Sequence, residues 1–298
     1  MFLKILVTGS SGFIGGQLSK ALLDRGYDVT GFDLTPQPQS NYPTIKGDLR
    51  NYNDVDKAVQ GMEVVYHLGA LANLNVCREK PLETVQVNVL GTANVSKACQ
   101  KHDAKLIYAS SCHIYGYQNH FPVTEDSIPN PSEIYSATKL AGEKIIQKFP
   151  GGVRHTILHY GTAYGPYMRP QLAIYIFLDK AIKNEDITVS KPGTQTRQFI
   201  YIDDLIEGNI LALDRPEAEG QILNLPGLEG ISILRLARLC VEVAKSKSEV
   251  VLGPSRPSDI ALEFLSSEKA HFLLDWKPKN SLREGLEKTL NWIKESHR

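Results

Sequence analysis

The chain has 298 residues, in which 33 Lys and Arg residues balance 33 Asp and Glu residues, and its hydrophobic fraction of 42% is that of an ordinary globular protein. This balance leaves no broad basic field, so we expect neither nucleic acid nor an anionic membrane surface as a partner. No stretch approaches the roughly 18 apolar residues of a membrane span, and the apolar run at 2–7 is too short for a signal sequence.

The four cysteines are scattered along the chain without a C-x-x-C spacing, at Cys77, Cys99, Cys112 and Cys240. This distribution argues against a zinc ribbon, a thioredoxin-type site and a disulfide framework. We therefore expect no metal site, and we expect the protein to work in the reducing cytoplasm.

The first half of the chain alternates short apolar runs with amphipathic stretches. Residues 3–7 are typical of a buried strand, and a glycine turn, a helix over 14–25 and a strand over 28–33 follow. The same alternation continues with strands at 45–48, 63–68 and 105–109 and helices at 53–60 and 84–101. This pattern predicts an α/β fold with a doubly wound parallel sheet that is covered on both faces.

From about residue 164 onward, proline and glycine punctuate the chain and the elements become less regular. Helices are predicted there at 172–184, 203–213, 233–244 and 282–294. We expect residues 1–163 to form a Rossmann-like nucleotide-binding domain and residues 164–298 to form mainly a smaller α+β C-terminal lobe that binds substrate. A segment at about 198–213 is expected to return to the first domain.

The glycines Gly9, Gly12 and Gly15 lie between the first strand and the first helix, where a phosphate-binding loop belongs. Gly9 permits the tight turn, Gly12 lets a pyrophosphate approach the backbone, and Gly15 lets the helix pack on the strand. Asp33 ends the second strand, where its carboxylate can accept hydrogen bonds from ribose hydroxyls and repel a 2′-phosphate. The sequence therefore predicts a dinucleotide site that prefers NAD to NADP.

Tyr135 and Lys139 lie four residues apart near the expected start of a helix, so both side chains should project from one face. A phenol is a poor base at neutral pH, but a lysine ammonium one turn away favours the phenolate and moves its pKa toward the working range. A solvated helix face is the alternative, because Tyr-x-x-x-Lys arises by chance in many chains. The glycine loop favours the catalytic interpretation, since hydride transfer from a carbinol carbon also requires a base.

The spacing Gly-x-x-Gly-x-x-Gly within residues 7–15 resembles the short-chain dehydrogenase/reductase superfamily, and in particular its extended branch of nucleotide-sugar epimerases and dehydratases. The pair Asp48-Leu49 is similar to the one that contacts adenine in that family, and Asn88 matches an asparagine that anchors the sheet end near the active site. By this resemblance the cofactor contacts also include Ser11, Phe13, Ile14, Leu68, Gly69, Ala70, Tyr135, Lys139 and Tyr160.

The same resemblance assigns catalytic roles. Ser111 corresponds to the residue that hydrogen-bonds the C4 oxygen of the sugar, Tyr135 to the group that exchanges the C4 hydroxyl proton, and Lys139 to the group that holds the nicotinamide ribose. The 4,6-dehydratases of the family carry Asp-Glu directly after the catalytic hydroxyl residue, whereas Cys112 and His113 stand here. Either side chain could transfer a second proton, or both could be packing residues.

The substrate lobe shows further likenesses and departures. Thr162 stands where the family usually has an asparagine near the cofactor and sugar diphosphate, and His159 stands where it usually has an arginine. Arg197 and Arg256 resemble residues that bind the nucleotide diphosphate, for which the guanidinium fork is well suited. The resemblance also implies a homodimer that forms through the helices at about 84–101 and 136–149.

The resulting hypothesis is an NAD-dependent nucleotide-sugar 4-epimerase that acts through a transient 4-keto sugar on a UDP-glucose/UDP-galactose-like or related UDP-sugar. A dehydratase or decarboxylase of the same family that uses Cys112 or His113 is the first alternative. A non-catalytic NAD-binding sensor is the second. The sequence does not distinguish among the nucleotides and sugars that could bind.

Overall fold

The alternating pattern of the first half becomes a parallel sheet in the computed structural model, which describes residues 3–37, 40–255 and 264–296. The strands are β1 (Lys4–Thr8), β2 (Asp28–Asp33), β3 (Thr44–Lys46), β4 (Val64–His67), β5 (Lys105–Ser111), β6 (His155–Tyr160), β7 (Thr162–Tyr164), β8 (Ile187–Ser190), β9 (Thr196–Tyr201), β10 (Ile222–Leu225), β11 (Gly230–Ser232) and β12 (Val250–Gly253).

The helices range from five residues (α4) to fifteen residues (α11). They are α1 (Phe13–Asp24), α2 (Tyr52–Val59), α3 (Leu74–Glu79), α4 (Pro81–Val85), α5 (Gly91–His102), α6 (Ile134–Gln147), α7 (Ala173–Lys183), α8 (Ile202–Asp214), α9 (Ile233–Ala244), α10 (Glu268–Leu274) and α11 (Leu282–Ser296). None of these helices is long and apolar enough to cross a bilayer.

The central sheet has seven strands in the order β10-β6-β5-β4-β1-β2-β3, and every neighbouring pair is parallel. Side chains of β1 alternate between its two faces: Ile5 and Val7 pack in one hydrophobic core, and Leu6 packs in the other. Both faces are therefore covered, which confirms the doubly wound α/β fold. The carboxyl ends of the strands meet at one edge, where ligands of such sheets bind.

Two small sheets form next to this edge. One contains β11, β9 and β7, and the other pairs β12 with β8 in parallel. The chain returns to the central sheet through α8, which packs against α1, and through β10, which pairs with β6. The part of the chain that returns to the central sheet therefore extends to residue 225, beyond the segment 198–213 that the sequence indicated. The division of the chain into two domains at residue 164 remains a prediction.

The long helix predicted at 84–101 is interrupted. A π-helical turn at Gln86–Leu90 separates α4 from α5. The Asn88 side chain accepts a hydrogen bond from the Leu71 N–H at 2.8 Å and donates to the Leu71 carbonyl at 3.0 Å and to Thr138 Oγ1 at 3.0 Å. The π-helical turn thus directs the Asn88 side chain at a neighbouring loop, and such turns are frequent at functional sites.

Candidate active site

The glycine loop brings the start of α1 to the sheet edge. A Cβ on Gly9 would lie 2.8 Å from the Gly69 Cα, and a Cβ on Gly15 would lie 2.1 Å from the Gly9 carbonyl oxygen. The backbones are thus packed as closely as only glycine allows. Gly12 is less tightly packed than Gly9 and Gly15. A Cβ on Gly12 would approach only the Gly9 carbonyl oxygen, at 3.2 Å, and the residue lines a cleft.

This first cleft has a volume of about 360 Å³ and runs along the carboxyl edge of the central sheet. The first turn of α1 faces it without a side-chain cap, since the N-cap residue is Gly12. Uncapped N–H groups together with the helix dipole form a natural site for phosphate. Many of the predicted cofactor residues line the cleft, namely Gly9, Gly12, Phe13, Ile14, Gly15, Asp33, Asp48, Leu49, Leu68, Gly69, Ala70, Tyr135, Lys139 and Tyr160.

Asp33 reaches the first cleft from the end of β2. Its carboxylate accepts hydrogen bonds from the Ser11 N–H at 3.1 Å and from the Thr35 N–H at 2.9 Å, which fix its orientation. Ser11 thus acts on the predicted site through its backbone and does not line the cleft. A fixed carboxylate at this place suits the 2′- and 3′-hydroxyls of an adenosine ribose and disfavours a 2′-phosphate.

Asp48 and Leu49 border the same end of the cleft, and an arginine that the sequence did not single out lies beside them. The Arg50 guanidinium donates two hydrogen bonds to Asp48 Oδ2, at 2.9 Å from Nε and at 2.6 Å from Nη2. This guanidinium lowers the pKa of the Asp48 carboxyl. Asp48 is therefore held as a carboxylate next to the expected adenine position.

Asn88 does not line the cleft, and it is 1% exposed. Its bonds to the backbone of Leu71 fix the loop after β4, whose residues Leu68, Gly69 and Ala70 do line it. The bond to Thr138 connects the same loop to α6. In this structure Asn88 positions the wall of the cleft and makes no direct contribution to its surface.

Tyr135 and Lys139 lie in the first turns of α6 and both face the first cleft, as the i, i+4 spacing predicted. The start of α6 is held by Glu133, whose N–H donates to Ser136 Oγ at 3.2 Å and whose carboxylate pairs with Arg78. The pair is thus carried on a fixed helix end at the carboxyl edge of the sheet.

The electrostatics of the pair differ from the simple expectation. Burial raises the pKa of Tyr135 to about 12, and a hydrogen bond with Ser111 and the charge of Arg169 oppose this effect in part. Burial lowers the pKa of Lys139 to about 7, with Glu143 opposing it. Burial therefore dominates the pKa of Tyr135, which lies above its usual range and not below it as the sequence predicted, and burial also weakens the ammonium form of Lys139.

Ser111 is the last residue of β5 and lines neither cleft, and Cys112 and His113 follow it in different surroundings. The Ser111 hydroxyl lowers the pKa of the Tyr135 phenol in opposition to burial, and its Oγ accepts the His113 N–H at 3.2 Å. Cys112 is 4% exposed and packs in a small apolar cluster with Ile114. It lines neither cleft, whereas the His113 side chain lies edge-on to the Tyr135 ring at a centroid distance of 6.4 Å.

His113 faces a second cleft of about 400 Å³ between the central sheet and the small sheets. Burial and the charge of Arg197 lower the pKa of His113 to about 4, so the imidazole is neutral at physiological pH. Thr162 and Arg197 line this cleft as well. The Thr162 hydroxyl oxygen is buried and has no hydrogen-bond partner within residues 3–37, 40–255 and 264–296, as expected of a group that meets a ligand.

Arg256 lies outside the described residues, so only one of the two predicted arginines can be placed. Sequence reasoning missed Arg169, which is exposed and lines both clefts. Its guanidinium forms no ion pair or hydrogen bond with any residue that the structure describes, and its charge acts on the Tyr135 phenol. The signal that could have found it is its position four residues after Gly165, just beyond β7.

Comparison with known proteins agrees with this arrangement. A UDP-glucuronate 4-epimerase from Thermodesulfobacterium geofontis is 30% identical over 313 residues, which cover 98% of this chain and 96% of that protein. Two solved structures match 99% of this chain and 100% of their own: the Thermotoga maritima UDP-glucose 4-epimerase with UDP-glucose (TM-score 0.94, 26% identity) and the Bacillus cereus UDP-glucuronic acid 4-epimerase with UDP-glucuronic acid and NAD (TM-score 0.91, 32% identity).

The family model for NAD dependent epimerases and dehydratases matches residues 5–225, a stretch that contains the glycine loop, the Tyr135 and Lys139 pair and Arg197. This match confirms the resemblance that the glycine spacing indicated. The chain belongs to the NAD dependent epimerase/dehydratase family.

Proposed function

We propose that the chain is an NAD-dependent 4-epimerase of UDP-sugars. The observation that carries the proposal is the meeting of the two clefts at Arg169, with Tyr135 and Lys139 in one and His113 and Arg197 in the other. A dinucleotide in the first cleft and a sugar nucleotide in the second would bring their reacting carbons together beside the Tyr135 phenol. Relatives that span the whole chain are 4-epimerases of UDP-glucose and UDP-glucuronate.

NAD fits the first cleft on three grounds: the uncapped start of α1, the backbone space at Gly12 and the oriented carboxylate of Asp33. When bound, it would supply a hydride acceptor with a positively charged ring. Tyr135 would take the proton of the sugar 4-hydroxyl and later return it, Ser111 would hold the phenolic oxygen, and Lys139 would stabilise the phenolate. Inversion at C4 needs no further acid or base.

The absence of an acidic pair after Ser111 supports epimerisation over elimination. Cys112 is packed among apolar residues, which is unsuited to proton transfer at a sugar carbon, while neutral His113 can form a hydrogen bond to the substrate. Cys112→Ala should therefore retain turnover. If it abolishes turnover while the substrate still reduces the bound NAD, the dehydratase or decarboxylase alternative gains support.

The direct test incubates the purified protein with UDP-glucose and, separately, with UDP-glucuronate, and follows the sugar by proton NMR and mass spectrometry. Epimerisation gives the C4-inverted sugar at unchanged mass. A product lighter by water or carbon dioxide would contradict it. If neither the C4 configuration nor the mass changes with any UDP-sugar, the non-catalytic sensor becomes the better explanation.

Arg169 favours an anionic sugar such as UDP-glucuronate. It is an exposed cation without a partner among the described side chains, and it lies where the two clefts meet, close enough to influence Tyr135. A sugar carboxylate there would form a charge-assisted pair. Arg169→Gln should lower kcat/KM for UDP-glucuronate by about 10- to 100-fold, as expected for a hydrogen bond to a charged group of ~1.5–3 kcal/mol. A similar loss with UDP-glucose would refute the carboxylate role.

The nucleotide end of the substrate would be held by Arg197, with Thr162 contacting the sugar diphosphate. We also infer a homodimer through the segment that contains α4 and α5, because Leu82, Val85 and Leu90 leave 80%, 40% and 47% of their surface exposed there. Light scattering of the wild type and of Leu82→Glu would test this. The cytoplasm remains the predicted location.

A further inference from the structure

His67 ends β4 as a buried polar side chain that the proposed reaction does not use. It is 1% exposed and lines neither cleft. Both ring nitrogens have partners: Nδ1 lies 2.8 Å from Thr8 Oγ1, and Nε2 lies 3.1 Å from Thr92 Oγ1. The ring also packs at a centroid distance of 5.6 Å from the Tyr108 ring. A buried imidazole with both nitrogens paired is held in one orientation.

The directions of these hydrogen bonds follow from the other partners of the two threonines. The Thr92 hydroxyl donates its proton to the Asn88 carbonyl at 2.6 Å, so its oxygen accepts from His67 and the imidazole proton is on Nε2. Nδ1 is then the acceptor for the Thr8 hydroxyl, whose oxygen in turn accepts the Gly69 N–H at 3.0 Å. Burial lowers the pKa of His67 to about 3, which keeps this neutral tautomer at physiological pH.

One arm of His67 fixes the phosphate-binding loop. The paired part of β1 and β4 ends with Thr8 opposite His67, and beyond this point backbone pairing no longer holds the two segments together. Gly9 and Gly69 lie there and line the first cleft, and a Cβ on Gly9 would lie 2.8 Å from the Gly69 Cα. The Thr8 hydroxyl bridges His67 and the Gly69 N–H, so it holds the loop against the wall of the cleft.

The other arm reaches the helix that carries Tyr135. From Thr92 the series of hydrogen bonds passes to Asn88 in the π-helical turn, whose side-chain amide donates to Thr138 Oγ1 at 3.0 Å. The Thr138 hydroxyl donates to the Tyr135 carbonyl at 2.7 Å, in the first turn of α6. Thr92, Asn88 and Thr138 are each no more than 2% exposed. A buried series of polar contacts thus runs from the phosphate-binding loop through His67 to the start of α6.

We propose that His67 is a positioning residue that connects the phosphate-binding loop to α6 and so holds bound NAD in register with the Tyr135 phenol. The proposal rests on the proposed function, in which hydride transfer to NAD and proton transfer to Tyr135 act on one sugar carbon and its hydroxyl. The cofactor is held by the loop and the phenol by α6, so a small error in their relative position lowers the rate of the reaction. Each hydrogen bond of His67 can be removed separately, and the two losses should differ in their effects.

Two substitutions each keep one arm of His67. In His67→Asn the side-chain oxygen takes the place of Nδ1 and still accepts from Thr8, but the side chain is too short to reach Thr92. In His67→Gln the side-chain amide takes the place of Nε2 and still donates to Thr92, but no acceptor faces Thr8. Each variant removes one buried hydrogen bond, so we expect both to lose stability to a similar extent.

The measurements are the NAD affinity of the full-length protein, by isothermal calorimetry after removal of the cofactor, and kcat with saturating NAD and UDP-sugar. His67→Gln should bind NAD about tenfold more weakly and retain most of its kcat. His67→Asn should bind NAD as the wild type does, and its kcat should fall about tenfold or more. The matched control is Thr156→Val on β6, which removes an equally buried hydrogen bond, at 2.8 Å to the Ala218 carbonyl, and should change neither quantity. Equal losses of both quantities in the two His67 variants, or no loss in either, would overturn the proposal.

Hydrogen exchange followed by mass spectrometry gives a second readout that does not depend on turnover. Exchange in the phosphate-binding loop should rise in His67→Gln alone, and exchange in the first turns of α6 should rise in His67→Asn alone. Exchange in both variants that matches Thr156→Val would contradict the proposal. If the His67 variants do not fold, Thr8→Val and Thr92→Val cut the same two arms one at a time and should give the same separation of effects. A wild type that epimerises no UDP-sugar, with the expected differences in NAD affinity and exchange, would refute only the proposed function.

Discussion

Replacing Gly15 by alanine should loosen the contact between α1 and the phosphate loop, and Gly16 offers a matched control. Both glycines lie in the first turns of α1, so both gain the same helix propensity on substitution, about 1 kcal/mol at most. The contacts differ. The new Cβ at position 15 would lie 2.1 Å from the Gly9 oxygen and 2.8 Å from the Gly9 carbonyl carbon, whereas the Cβ at position 16 would lie 3.3 Å from the Ser10 oxygen.

The magnitude follows from these distances. A Cβ needs about 1 Å more than position 15 provides, and both clashing atoms belong to the backbone, so the loop and helix must separate. Such overpacking costs about 1–3 kcal/mol. At roughly 2 °C per kcal/mol for a chain of this size, Gly15→Ala should melt about 2–6 °C below Gly16→Ala. The helix N-terminus would also leave its place in the first cleft, which should weaken NAD binding by tenfold or more.

Both variants would be stripped of cofactor, melted by differential scanning calorimetry, and titrated with NAD by isothermal calorimetry. Because both substitutions add the same helix propensity, this gain cancels when the two variants are compared with each other. Equal melting temperatures for the two variants would show that the backbone contact at Gly15 is not tight in solution. A Gly15→Ala protein of lowered stability but unchanged NAD affinity would show that α1 does not form the phosphate site.

Three further results are expected. Tyr135→Phe should lower kcat by about 10²- to 10⁴-fold with NAD affinity unchanged, and a smaller loss would remove Tyr135 as the acid and base. Asp33→Asn should weaken NAD binding and reduce the ratio of the NAD affinity to the NADP affinity, which a competitive titration with the two cofactors would measure. Lys139→Met should raise the melting temperature more at pH 6 than at pH 9, because burial lowers the pKa of Lys139 to about 7 and the cost of its buried charge declines as pH rises above that value. A gain that grows with pH would contradict this sign.

The parts of the site that sequence predicted are those fixed by local rules. A glycine spacing between a strand and a helix allows few backbone arrangements, so Gly9, Gly12 and Gly15 could be placed with confidence. The i, i+4 spacing likewise placed Tyr135 and Lys139 on one helix face. The π-turn around Asn88 could not be read in this way, because it depends on the distant loop at Leu71 that the side chain holds.

Arg169 and Glu143 escaped prediction for different reasons. Arg169 becomes part of the site only because the fold brings it beside residues that are distant in the sequence, which no local pattern records. Glu143 was readable in principle, as a carboxylate four residues after Lys139 on the same helix face. Its contacts could not be predicted, however, because Ser110 and His159, which bond to it, lie on β5 and β6.

The pKa values of the pair explain why these two charges matter. Burial raises the pKa of Tyr135 to about 12, so the phenol is protonated at neutral pH and the protein without ligands does not hold a ready base. Burial lowers the pKa of Lys139 to about 7, so its ammonium form is weakened at neutral pH. Nearby charges oppose these effects of burial: Arg169 lowers the pKa of Tyr135, and Glu143 raises the pKa of Lys139. A sugar carboxylate that engages Arg169 would offset its effect on Tyr135, so the charge of Arg169 would act on the phenol more strongly with a neutral sugar than with an anionic one.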